Sequence, residues 1–136
     1  MPVSIREQLL SAITTAVGGV FDTDLPTDER ELPITLVADD AESATEDYDQ
    51  IVARMPVAVA RAAAATDRDS GTQRAQANEL LAALIGEMNT DETFGGLAQG
   101  TLYDGGGIAI NNKFVAAEAQ FTITYSYVRG DPYTAS

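Results

Sequence analysis

The chain has 136 residues, a length that fits one domain able to bury roughly two-thirds of its unfolded surface without staples. It contains no cysteine and no histidine, which excludes disulfides, thiolate metal sites and any nucleophile–histidine arrangement. Twenty-one acidic residues against eight basic ones give a formal charge of −13, which disfavours a grip on nucleic-acid phosphates, because that affinity comes largely from Lys and Arg. Two readings of the charge stand: a solvated acidic surface, or an acidic wall past which nucleic acid slides without sticking.

The opening "MPVSIREQLLSAITTAVGG" has no basic leader and carries charge within it, so the expectation is a soluble protein made inside a cell, with no membrane partner. Ser4 and Glu7 stand at capping-box spacing. Ile5, Leu9, Ala12, Ile13, Ala16 and Val17 recur at helical intervals until Gly18-Gly19, which predicts a helix from about Ile5 to Val17. "FDTDLPTDERE" is turn-forming. "LPITLVAD" reads as a short strand, and Pro33, lacking a donor, puts it at its start or at an edge. "DDAESATEDYDQ" reads as a mobile acidic loop.

From Ile51 the pattern alternates: Ile51, Met55, Val57 and Val59 share a face and Arg54 opposes them. The alanines of "IVARMPVAVARAAAA" favour helix, but Pro56 inside a helix would cost about 3 kcal/mol, so strand is predicted. "DRDSG" is a turn, and Ser70 with Gln73 offers a second capping box. Ala77, Leu80, Leu81, Leu84, Ile85 and Met88 then form one helical stripe. "NTDETFGGLAQG" ends that helix in a compact turn, with Phe94 and Leu97 positioned to plug the core. "TLYDGGGIAIN" reads as a strand broken by glycines, hence a bulge or a flexible hairpin arm. A long strand from Val115 to Val128 follows.

The order helix, strand, strand, helix, strand, strand predicts an α+β fold in two layers. A mixed or antiparallel sheet of about four strands would carry both amphipathic helices on one face. The expected domain covers residues 1–131, with a short C-terminal tail at 132–136.

Nothing converges on catalysis. Acid–base work would fall to carboxylates, tyrosines such as Tyr103, or the single lysine, Lys113. "TDRDSG" lacks the spacing of a calcium loop, and "DGGGIA" lacks the Lys-Ser/Thr and helix start of a phosphate loop. No catalytic, metal-binding or cofactor-binding residue is expected, and no cofactor.

The last strand carries the assembly argument. Fourteen residues from Val115 span about 46 Å, whereas a spherical domain of this length is roughly 37 Å across. An overhang would expose unpaired donors and acceptors that a second copy must cover, and a heterologous contact of that kind can close a ring. The candidate inter-subunit residues are Tyr103, Ile108, Ile110, Phe121, Ile123, Tyr125 and Tyr127. For Tyr125 and Tyr127 the alternative is that they roof the core. Asp39, Asp40, Glu42, Glu46, Asp47 and Asp49 form the candidate acidic loop, either DNA-facing or simply solvated.

Several fragments in order, "SIREQLLSAI", "ELPITLVADD" with Leu32-Pro33, "DETFGGLA" from Asp91 to Ala98, and "FTITYSYVRGDP" running into Gly130-Asp131-Pro132, together resemble the tail terminator family of minor tail proteins in long-tailed bacteriophages. The acidic loop and the alanine-filled strand depart from that pattern, so no individual contact residue is carried over. The resemblance implies a structural subunit, without catalysis or cofactor, forming a hexameric ring at the head-proximal end of the virion tail after assembly in the host cytoplasm. Implied partners are further copies of itself, the tail tube protein and a head–tail connector or head-completion protein, with DNA only as a passing polymer. The competing expectations are a head–tail connector or head-completion protein, and, in a different class, a monomeric small-ligand-binding module.

Overall fold

The computed structural model describes residues 3–21, 33–111 and 113–136; the polar turn predicted after Phe21 and the marker residue Leu32 lie outside them. The elements in chain order are α1 (Ile5–Val17), β1 (Val20–Phe21), β2 (Ile34–Asp39), β3 (Ser43–Asp47), β4 (Gln50–Ala64), α2 (Ser70–Asn89), β5 (Gly100–Ile110), β6 (Phe114–Val128) and β7 (Asp131–Ala135). The fold is α+β, with two helices and a mixed sheet of seven strands among the described residues, not four. The central path runs β1-β2-β4-β6-β5, while β3 also pairs with β4 and β7 with β6. Among the described residues only β1 and β2 pair in parallel.

Local signals place α1 where its periodicity does. The Ser4 hydroxyl accepts a hydrogen bond from the Glu7 amide at 3.1 Å, and Gly18, at φ 62°, closes the helix in the left-handed conformation that glycine adopts without steric cost. Leu10 is buried where Ala16 was expected to be; Ala16 is exposed. For α2 the cap is Asp69 and not Ser70: its carboxylate accepts from the Thr72 amide at 3.0 Å. Gln73 instead turns inward and donates to the Asp67 carbonyl at 2.8 Å.

The sheet is built on two strands of 15 residues each. β4 and β6 pair along their whole length, from Gln50 opposite Val128 to Ala64 opposite Phe114. The overhang expected of β6 is therefore absent. Its length is as read, but an equally long strand lies beside it, and β5 and β7 cover much of its other edge. The spherical estimate failed because the chain spends its residues on two long strands instead of a round globule.

Odd-numbered residues of both strands, among them Met55, Val57, Val59, Ala119, Phe121, Ile123 and Tyr125, point into one core. Ile5, Leu9 and Ile13 of α1 and Leu84 and Met88 of α2 pack on that same face. The even-numbered face shows Arg54, Pro56, Glu118 and Gln120 to solvent.

Pro56 in mid-strand has a local explanation. β3 pairs with β4 only as far as Arg54, and the pairing of β2 with β4 starts at Val57, opposite Asp39, so Pro56 faces the break between them. Its carbonyl accepts from the Asp40 amide at 3.0 Å, which points its donor-less nitrogen toward the same break, where no ladder bond is forfeited.

The last residues do not form a tail. β7 folds back so that Asp131 pairs with Val128 and Ala135 with Tyr127. The acidic "loop" likewise contains a strand, β3, in a tight hairpin with β4.

Candidate interaction surfaces

Three of the residues expected between subunits are core. Phe121, Ile123 and Tyr125 are no more than 1% exposed within the lone chain, so they cannot meet a neighbour without unfolding. Tyr127 is half-buried beside Tyr125, with ring centroids 6.2 Å apart. The core-roofing alternative holds for Tyr125. The other expected residues lie on β5: Ile108 is half-buried, while Tyr103 and Ile110 are exposed.

β5 ends the central path on one side and, among the described residues, pairs with β6 alone. The predicted bulge is there: the register shifts between Tyr103 and Gly105, leaving Asp104 out of the ladder. Gly106 permits the close approach of β5 to α2. A Cβ at that position would stand 2.7 Å from the Glu118 carbonyl oxygen and 2.9 Å from the Leu81 Cδ1. The free edge is 11 residues long and carries exposed Leu102, Tyr103 and Ile110. It has no lysine and no proline, the residues that most often blunt such an edge.

The acidic segment divides into a tethered part and an outer part. Arg6 of α1 donates to Asp39 at 2.6 Å, to the Asp40 carbonyl at 2.7 Å and to Glu42 at 3.2 Å. Glu42 also accepts from the Tyr125 hydroxyl and, at 3.5 Å, from Tyr127. Burial, with Glu42 beside it, pushes the Tyr125 phenol far above the usual range, so it remains a donor. This cluster staples the β2–β3 connection to α1 and β6. Asp39 and Glu42 are thus structural anchors and not members of a solvated loop.

Glu46, Asp47 and Asp49 are the outer part, all three exposed, with Glu46 3.5 Å from Arg129. Asp47 pairs with Gln50, so the β3–β4 loop is only Tyr48-Asp49. Tyr48 holds φ 56° and is 91% exposed. The favoured two-residue hairpin turns demand a positive φ at this position and normally place glycine, asparagine or aspartate there. No such signal marked "DYDQ" as a hairpin, so the sequence reading missed it.

A groove of about 500 Å³ opens between α1 and the end of α2, walled by Ala12, Ala16 and Phe94. Phe94 plugs the core from the "DETFGG" turn as predicted, at φ 49°, followed by Gly95 and Gly96 at φ 73° and 88°. The Asp91 carboxylate holds this turn by accepting from the Gly95 amide at 2.8 Å and the Thr93 hydroxyl at 2.9 Å; these bonds lower its pKa.

Among the described residues, no three Asp or Glu side chains gather as a metal ion would require, and no helix is long and apolar enough to cross a membrane. The fold defines a two-helix α+β protein with an open-edged mixed sheet. No protein-family model matches the chain, and no curated protein matches it in sequence.

Proposed function

We propose that this chain is a ring-forming tail terminator of a long-tailed bacteriophage, which caps the head-proximal end of the tail tube, stops its polymerisation and offers a surface for head–tail joining. Support comes from the fragments that resemble that family and from one structural observation, the free 11-residue edge of β5 with its exposed Leu102, Tyr103 and Ile110. β6 lends no support, because β4 satisfies it within the chain. An uncovered apolar strand edge is finished most simply by another copy, and pairing with a different edge of that copy makes a ring when the rotation between copies closes. The ring, expected to be a hexamer, would contact the tube protein on one side and the connector on the other, with DNA passing through an acidic assembly. The role requires no catalysis and no cofactor.

The decisive experiment is electron microscopy of tails assembled without this protein. Overlong tubes support termination. Tails of normal length that fail to join heads would instead make the protein a head–tail connector or head-completion factor. Tails of normal length that do join heads would refute both readings.

A further inference from the structure

The groove between α1 and the end of α2 presents polar side chains of nearly one kind. Its walls are apolar at Ala12, Ala16 and the buried Phe94, and its volume of about 500 Å³ is that of a small-molecule site. Two threonines line it, and both hydroxyl protons are already committed within their own helices. Thr15 donates to the Ser11 carbonyl at 3.0 Å, and Thr90 to the Gly86 carbonyl at 2.9 Å. Each oxygen has only lone pairs left to offer a ligand. Glu87 and Asp91, ionised, are acceptors too. The Ser11 hydroxyl, which rotates to suit either partner, is the exception.

Charge points the same way. Arg61 neutralises Glu87 and satisfies the Val17 carbonyl at the end of α1. Asp91 has no such partner: the Thr93 and Gly95 amides and the Thr93 hydroxyl that it accepts from are all neutral, and among the described residues it makes no ion pair. Two residues before it α2 ends with no basic residue in its last turn, so the partial negative charge of that helix end adds to the carboxylate.

We infer that this groove binds a small organic cation, an ammonium or guanidinium head on a short apolar body. The head donates to Asp91 and to the threonine oxygens, and the body covers Ala12, Ala16 and Phe94. The length of the groove favours a small molecule over a partner helix. Its α1 wall runs from Ser11 to Ala16, about 8 Å, whereas a docked helix of ordinary length needs roughly twice that. None of these residues lies on β5, so the site is independent of ring closure.

Amide NMR of the isotope-labelled protein at neutral pH tests the inference with three probes of similar size: phenethylammonium, the neutral phenylpropanol and the anionic phenylpropionate. The cation should shift the amides of Ala12, Ala16, Thr90 and Phe94 saturably, and added salt should weaken its binding. Phenylpropanol should bind roughly tenfold more weakly, and phenylpropionate more weakly still. Ala16→Phe, at an exposed position of α1, should fill the groove and abolish binding. Asp91→Asn should remove most of the preference for the cation over the alcohol while leaving the alcohol bound as before. Unchanged signals outside the groove show that each variant is folded. Any of four results would overturn the inference: no saturable shift at the groove with the cation, equal binding of cation and alcohol, undiminished binding to Ala16→Phe, or a cation preference that survives Asp91→Asn.

Discussion

Arg61 grips Glu87 through two hydrogen bonds, 2.7 and 2.9 Å long, and so locks β4 to α2. The same guanidinium donates to the Thr35 hydroxyl of β2 at 2.6 Å and to the Val17 carbonyl at the end of α1 at 2.8 Å. One side chain thus joins four elements where both helices meet the sheet. Its bond to Glu87 outweighs burial in raising its own pKa and holds Glu87 below the usual carboxylate range.

Arg61→Met keeps the aliphatic stem but strands the Val17 carbonyl and Glu87. Denaturant unfolding should show a loss of about 1–3 kcal/mol, toward the low end because solvent screens Glu87. Glu87 has a depressed folded-state pKa, so its contribution is complete above the unfolded value of about 4.3 and disappears as pH falls through the lower folded value. Glu87→Gln should flatten that part of the acid unfolding curve.

Tyr125→Phe removes a hydroxyl that Glu42 accepts from, at a cost of about 1–2 kcal/mol. The folded phenol titrates above its unfolded value, so its contribution is complete below about pH 10 and is lost as pH rises through the higher folded value. Ultraviolet titration of the five tyrosines should show a late step that the Phe variant lacks.

Gly106→Ala forces a Cβ against the Glu118 carbonyl and Leu81, so it should destabilise by about 1–3 kcal/mol. Gly107→Ala meets open space and should change stability by less than about 0.5 kcal/mol. Equal losses at the two positions, measured by chemical denaturation, would contradict the packing of β5 under α2.

Tyr48→Asn should relieve strain and raise stability by about 0.5–1 kcal/mol in thermal unfolding. Loss of stability instead would mean that the Tyr48 ring packs usefully within the chain.

Leu102→Lys and Ile110→Lys place charges along the free edge of β5. They should leave stability within about 0.5 kcal/mol of the unaltered protein and abolish rings in negative-stain images. With −13 on each copy, ring closure through this edge should strengthen with added salt.

Elements set by short-range rules were legible. Helical spacing and capping chemistry located α1 to the residue, and alternation located β6 to within one residue at its start. The glycines after Asp104 marked the bulge correctly. β3 was not legible, because "SATED" is polar on both faces and lies outside the core, leaving no hydrophobic beat to read. The cap of α2 was misplaced by one residue because Asp69 and Ser70 both have the right chemistry, and only the backbone chose between them.

What the sequence determined by itself was the two helices and the long apolar strands, with the face each would bury, since periodicity and caps act within a few residues along the chain. Which strand lies beside which was decided only by the tertiary structure. Tyr125 and Tyr127 read equally well as interface or as core, and Phe121 and Ile123 were expected between subunits, until β4 ran alongside β6 for its full 15 residues. Pairing joins residues far apart in sequence, as Gln50 joins Val128, and the energy that selects a partner comes from burial shared across the whole sheet.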